Sequence, residues 1–351
     1  MQHRTLYKKT QAFIFATILL PLFFSTSCSE AEDKYYIMDS LRVMGIKADK
    51  PWLHFGESTT LEALVFVPDN AELSYQWRWC PTILNSVTGY ACPLDQDGLN
   101  TLVEQASEGE LSAPNLDLGS NASATFNNVF PSELLTAICY GAIAGSGNIG
   151  VAEIDCASTY AVSVILEVQT AEETIRAVKD LQLIVDPTIT PNQNPSISGL
   201  SIRDFAADLS DTEVETQIET LRSDAEILAA DTAYTITTEE HYALFANIPE
   251  DSAQTYIKTT TSEGQSSSEN IEEALAISWF IEIGEFDSAR TGYIPDEIDL
   301  ATASQNIWIP PIDLSAFEQE SAKLYVVVRD DRGGSDWLER SLDVSLLGDA
   351  Q

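Results

Sequence analysis

The chain of 351 residues carries 55 acidic and 18 basic side chains, 3 histidines and 5 cysteines, for a formal charge of -37. A hydrophobic fraction of 44% is too high for a disordered chain, and the length suits two domains with sizeable cores. The acidity argues against nucleic acid as a partner, since neutralising phosphates takes clustered Lys and Arg, and against electrostatic docking on anionic lipid.

Residues 1–27 have the three-part form of an export signal. Arg4, Lys8 and Lys9 make a basic start, and an apolar run over 12–24 is broken only by Thr17 and Pro21. That run is too short to span a bilayer comfortably as a helix. Ser25, Thr26 and Ser27 then lead into Cys28. This small-small-Cys end resembles the lipobox of bacterial lipoproteins, with Ser25 where Leu is usual. The resemblance implies lipidation of Cys28 after cleavage, and Ser29, which is not Asp, implies the outer membrane. Several acyl chains, at about 0.8 kcal/mol per buried CH₂, would anchor the protein stably. Cleavage removes Arg4, Lys8 and Lys9 and no acidic residue, so the remainder carries 55 acidic against 15 basic side chains, a formal -40. Residues 28–37 are then a lipidated Cys and a short acidic tether, which places the first domain close to the membrane.

Cys80, Cys92, Cys139 and Cys156 remain. An even number in an exported chain reads as two disulfides, and four cysteines permit three connectivities. Cys80–Cys92 with Cys139–Cys156 is the favoured pairing, because each closes a short loop containing Pro or Gly. Such loops stabilise by roughly 3 kcal/mol in the chain-entropy model. Zinc does not suit the spacing, since no C-x₂₋₄-C pair exists and His is scarce.

Residues 38–186 read as a first β-rich unit. Leu41, Val43 and Ile46 belong to an opening strand, followed by the turn residues Asp49, Lys50, Pro51 and Gly56. Alternation of Leu61, Ala63, Val65 and Val67 predicts a second strand. Over 73–80, period two puts Tyr75, Trp77 and Trp79 on one face and Gln76, Arg78 and Cys80 on the other. β-branched runs at 160–168 and 176–185 predict a closing hairpin. Asp186-Pro187 and Pro191-Asn192-Gln193-Asn194-Pro195 break the pattern, so 187–195 reads as a stiff linker.

A second unit occupies 196–347. Val214, Ile218, Leu221 and Leu228 stand at helical spacing in the acidic stretch 210–228, with Ser210 and Glu213 as a capping box, so this reads as a helical or irregular insertion. Strands are predicted at 242–248, 274–283, 306–309, 324–329 and 337–346, the last two flanking the turn Asp330-Asp331-Arg332-Gly333-Gly334. The Ser-, Thr- and Glu-rich stretch 259–273 reads as a mobile loop.

The Leu41-Arg42-Val43 strand, the Trp77/Trp79 strand, Trp279 and the hairpin from Tyr325 to Trp337 resemble Ig-like or PKD-like β-sandwich modules, which recur in tandem on bacterial surface lipoproteins. The fold class expected is therefore mainly β, two tandem Ig-like antiparallel sandwiches after a cleaved lipoprotein signal peptide. The second unit lacks the cysteines of an antibody domain. What the resemblance implies is adhesion, scaffolding or assembly rather than a reaction.

Other constellations are weaker. The run from Gly145 to Gly150 fits G-x-G-x-x-G, but the residues after it are poor helix material, so it reads as a Gly-rich loop. Asp95, Asp97 and Glu104 partly match a Ca2+-binding loop whose first position would be Pro93, leaving a looser structural Ca2+ site as the only cofactor candidate. His54 and His241 stand near no nucleophile motif, and Trp52 and Trp308 are candidates for sugar stacking if exposed. The expectation is a non-catalytic envelope lipoprotein contacting protein or polysaccharide. The alternative is a carbohydrate- or peptide-processing enzyme with a carboxylate pair in an inter-domain cleft.

Overall fold

The computed structural model describes residues 34–84, 90–136, 158–262, 265–311 and 321–344. Cys28, Cys139, Cys156 and the glycine run at 145–150 lie outside the described residues.

The first sandwich is built from β1 (Arg42–Ala48), β2 (Trp52–Leu53), β3 (Ser58–Phe66), β4 (Ser74–Cys80), the helix α1 (Gln96–Ala106), β5 (Asp117–Gly119), β6 (Ser123–Asn127), β7 (Thr159–Gln169) and β8 (Thr174–Ile184). One sheet runs β1-β3-β6 and the other β2-β8-β7-β4-β5. The expected closing hairpin is β7–β8, paired without a break from Thr159↔Ile184 to Gln169↔Thr174. Its inward positions Tyr160, Val162, Val164, Leu166 and Val168 are all buried, as period two requires. Trp77 and Trp79 fill the centre of the core, and their indole N–H groups donate to the carbonyls of Asn121 at 2.9 Å and Asn115 at 2.8 Å. Burial of a large ring is therefore achieved without an orphaned donor.

The second sandwich comprises β9 (Gly199–Ala206), α2 (Asp211–Ser223), β10 (Glu226–Ile227), β11 (Tyr234–Thr235), β12 (Glu240–Asn247), β13 (Thr255–Ser262), β14 (Gln265–Glu272), β15 (Leu275–Ile281), β16 (Glu285–Phe286), β17 (Arg290–Tyr293), α3 (Leu300–Ala303), β18 (Gln305–Ile309), β19 (Ser321–Asp330) and β20 (Ser335–Asp343). Its sheets run β10-β9-β12-β18-β16 and β11-β20-β19-β15-β17. The two halves thus repeat one plan. β1-β3-β6 corresponds to β9-β12-β18, and in each half a short strand, β2 or β11, pairs parallel with the last strand. Leaving aside the β13–β14 ribbon, a buried Trp sits on the third long strand in both, Trp77 and Trp79 on β4 and Trp279 on β15. This is the strand order of tandem Ig-like sandwiches.

α2 matches the helical spacing, and the Glu213 carboxylate accepts the Ser210 backbone N–H at 2.9 Å. Its Val214, Ile218 and Leu221 pack with Leu209 on Phe205, Ala243 and Phe245, covering the outer face of β9 and β12. Leu228 lies beyond the helix, in the sandwich core. Most of the stretch 259–273 is strand rather than loop. It belongs to a two-stranded ribbon, β13 paired with β14 over eight positions from Thr255↔Glu272 to Ser262↔Gln265. Cross-strand backbone pairing and the β-propensity of Thr sustain it, and neither shows in the sequence as apolar periodicity. Gly284, at φ +83, lets the chain turn against β18, where a Cβ would lie 2.5 Å from both the Ile309 carbonyl oxygen and Trp308 Nε1.

The described residues from Tyr35 onward form one compact unit, and the two sandwiches meet in it along a filled seam. Met38, Met44, Leu64 and Phe66 pack on Phe280, Tyr325 and Val327, all buried. A bulge between Val43 and Gly45 interrupts β1, and the carbonyl of Met44 accepts a hydrogen bond from Arg329. Before the first strand, Tyr36 enters the core of the second sandwich, Ile37 bridges Ile281, and Met38 N–H donates to the Ile281 carbonyl at 2.8 Å. The stretch expected to be a tether into the first domain therefore ends on the second.

At the other end of the seam the β19–β20 turn is wedged against the first sandwich. The Arg332 guanidinium lies between the rings of Trp52 and Tyr256, 4.4 Å from each centroid, and 3.0 Å from the carboxylate of fully buried Glu273. Asp330 accepts the backbone N–H groups of Arg332 at 2.9 Å and Gly334 at 2.6 Å, with the Asn192 amide at 2.9 Å. Asn194 donates to the Ala48 carbonyl at 2.8 Å and accepts from Ser335 N–H at 3.0 Å, so the Pro/Asn segment is packed into the junction. Only glycine fits at 334, where a Cβ would fall 2.1 Å from Asp330 Oδ2. Lys47 pairs with Asp336 at 2.8 Å, and Lys179 donates to the Gly333 carbonyl. Burial lowers the Lys179 ammonium to about 8 and raises the Glu273 carboxyl.

Candidate binding cleft

The outer face of the β2-β8-β7-β4-β5 sheet lies on the side of the first sandwich away from the seam, and it carries a cleft of about 1010 Å³. Its floor follows from strand alternation. With Trp77 and Trp79 turned into the core, Gln76 and Arg78 must face outward, as must Glu167 and Ile165 on β7 and Arg176 on β8. Register aligns Gln76, Glu167 and Arg176 in one row and Arg78, Ile165 and Val178 in the next, about 7 Å apart.

The walls come from two segments. One is the end of the loop closed by the Cys80–Cys92 disulfide, with Cα atoms 5.7 Å apart, which is the favoured pairing expected for these cysteines. The start of this loop is tied to β7 on both sides of the sheet: Leu84 N–H donates to outward Ser163 Oγ at 3.0 Å, and core-facing Tyr160 OH donates to the Pro81 carbonyl. Burial pushes that phenol up to about 12. Tyr90, 40% exposed at the cleft, takes a left-handed φ of 56°, uncommon for a bulky residue. The other wall is 114–117, pinned by Gln96, which accepts from Leu116 N–H at 2.9 Å and donates to the Pro114 carbonyl at 3.1 Å.

The charges in the cleft are unequally satisfied. Asp95 Oδ1 accepts Gly98 N–H at 2.8 Å and so caps α1, a structural use of the residue weighed as part of a Ca2+ loop. Asp117 Oδ1 accepts Gly119 N–H at 2.8 Å and the Gln76 amide at 2.9 Å. Glu167 Oε2 pairs with Arg176 at 3.0 Å. Each carboxylate keeps its second oxygen free of hydrogen bonds from the described residues, and Arg78 has no ion pair or side-chain hydrogen bond with any of them. The face can therefore offer one open guanidinium fork flanked by hydrogen-bond acceptors.

The other residues singled out from sequence are dispersed. His54 lies in the β2–β3 turn of the first sandwich, whereas His241 stacks edge-on against Phe205 in the second, with ring centroids 5.8 Å apart. Trp308 is wholly buried, its indole N–H on the Ile283 carbonyl at 3.0 Å, and so cannot stack on a sugar. Trp52 is committed to Arg332. Among the described residues no group of three or more His, Cys, Asp or Glu side chains is gathered as a metal site requires. Alternation alone puts Arg78 and Gln76 on the face opposite the tryptophans, without distinguishing them as a site. Nothing local in the sequence brings 90–96 and 115–117 to that face.

No family model matches the chain, and no curated protein does. Among solved structures, the three N-terminal domains of the bacteriophage RB49 Highly Immunogenic Outer Capsid protein (Hoc) are similar at 9% identity, covering 87% of this chain and 98% of that one with a TM-score of 0.19. Dimeric latent PorU from Porphyromonas gingivalis is similar at 10% identity, over 88% of this chain and 24% of PorU, with a TM-score of 0.18. At such scores neither likeness carries an argument, and the fold stands on the strand order described above.

Proposed function

We propose that the protein is a lipid-anchored envelope protein that presents a rigid pair of Ig-like sandwiches to a protein or polysaccharide partner. The observation that carries this reading is the filled seam with its Arg332 clamp, which holds the cleft of the first sandwich in a fixed relation to the second. A rigid scaffold lowers the entropy lost on binding, which favours presentation of a surface. The enzyme alternative places a carboxylate pair in a cleft between the domains, and Met44, Phe66, Phe280 and Tyr325 fill that place instead. The anchor in this reading is Cys28, the membrane the outer one, and the signal residues 1–27.

Envelope fractionation with mass spectrometry of the mature N-terminus tests it. An acylated Cys28 in the outer-membrane fraction is expected, with Cys28→Ala moving the protein to the soluble fraction. Mature protein that is soluble and carries an unmodified N-terminus overturns the anchoring. Cross-linking in intact envelopes then identifies the partner.

A further inference from the structure

We propose that the cleft over β4, β7 and β8 binds an acidic oligosaccharide, a chain of uronic-acid units, with Arg78 holding a sugar carboxylate. The assignment rests on the display reading above and specifies its ligand class.

Charge is the first reason. The protein carries 55 acidic and 18 basic side chains, yet the open side chain at the cleft floor is a guanidinium, unpaired among the described residues. Its planar donors suit a carboxylate in two-pronged geometry. The surroundings select the rest of the ligand. Asp95, Asp117 and Glu167 each present a second oxygen able to accept from a hydroxyl, and Asn115, whose Oδ1 is engaged by Asp117 N–H at 3.0 Å, keeps its amide as a donor. Hydroxyl-rich rings bearing one carboxylate apiece match that mixture. An acidic peptide lacks those hydroxyls, and its backbone would need amide partners that a sheet face does not offer. Tyr90, braced by the Cys80–Cys92 disulfide, places an exposed ring at the cleft where a pyranose can stack. The dimensions agree, since about 1010 Å³ is at the upper end of ligand pockets and admits a few sugar rings.

Calorimetric titration of the purified full-length protein tests this, using trimers of galacturonate, glucuronate and mannuronate, neutral maltotriose, and pentaglutamate. At least one uronate trimer is expected to bind, with maltotriose at least tenfold weaker, and Arg78→Gln should lower the uronate affinity tenfold or more. That variant removes an exposed side chain without a described partner, so its circular dichroism and melting temperature should match wild type. Adding 0.5 M NaCl should weaken the wild type and barely affect Arg78→Gln, because the screened pair is absent there. The proposal is overturned if all three uronates fail, if maltotriose binds equally well, or if Arg78→Gln binds like wild type. Binding of pentaglutamate in preference to the uronates would reassign the cleft to acidic protein. These readouts use purified protein, so they stand or fall independently of Cys28 acylation.

Discussion

Replacing Arg332 with Met tests whether the clamp, rather than sequence adjacency, unites the two sandwiches. Its partner Glu273 has no exposed surface, so the substitution leaves a carboxylate buried without its cation. Breaking a buried pair on one side costs about 3–5 kcal/mol. Two ring contacts at 4.4 Å, with Trp52 and Tyr256, are lost as well and add roughly 0.5–1 kcal/mol each. The variant should lose about 4–7 kcal/mol, which at an m-value of about 3 kcal/mol/M lowers the urea midpoint by about 1.3–2.3 M. Arg332→Met with Glu273→Gln removes both charges and should recover most of that, because the glutamine can still accept the Gln254 N–H now bonded to Glu273 Oε2 at 3.0 Å. The cost of Arg332→Met should also shrink as pH falls, since the orphaned carboxyl can take up a proton. Urea unfolding followed by tryptophan fluorescence and circular dichroism reads all three. A loss under 1 kcal/mol, or equal losses in the single and double variants, refutes the reasoning.

The burial that lowers Lys179 from 10.5 to about 8 makes the unfolded state bind more protons between those values, so this group adds stability as pH rises through that window and penalises folding below it. Relative to Lys179→Met, the wild type should gain up to about 3 kcal/mol from pH 8 to 10.5 in pH-resolved denaturation, and a flat difference contradicts the assigned environment. Serine at both Cys80 and Cys92 should cost about 3 kcal/mol and abolish ligand binding by releasing the cleft wall; a reduced protein with unchanged melting temperature would deny the disulfide that role. Phe66→Ala, whose ring meets Tyr325 edge-on at 6.4 Å between centroids, should cost about 3 kcal/mol and separate the unfolding of the two halves; coincident transitions with no loss would show that the seam contributes nothing.

Strands whose apolar residues alternate were legible. The β7–β8 hairpin, the Trp77/Trp79 strand and the β19–β20 pair lie where period two predicts. The capping residues before α2 were legible for the same kind of reason, because Ser210 and Glu213 act within one turn. α1 escaped because its only fully buried side chains are Leu99 and Val103, a single pair at i and i+4 following acidic residues. The β13–β14 ribbon escaped because its order comes from cross-strand hydrogen bonds and from Tyr256 and Glu273 at its base rather than from an apolar stripe. Of the cleft, alternation reveals that Arg78 points away from the tryptophans, but not what it meets.

By itself, the sequence determined the β class, the outward and inward faces of the long strands, the capping of α2 and the Cys80–Cys92 pairing as favoured, since each depends on residues near one another in the chain. Only tertiary structure decided that Tyr36 docks on the second sandwich, that Arg332 reaches back 280 positions to Trp52, and that Arg78 shares a cleft with Tyr90 and Cys92. Those contacts join segments whose local patterns are indifferent to each other, and they arise because two apolar sheet faces leave water together and bring their polar margins with them.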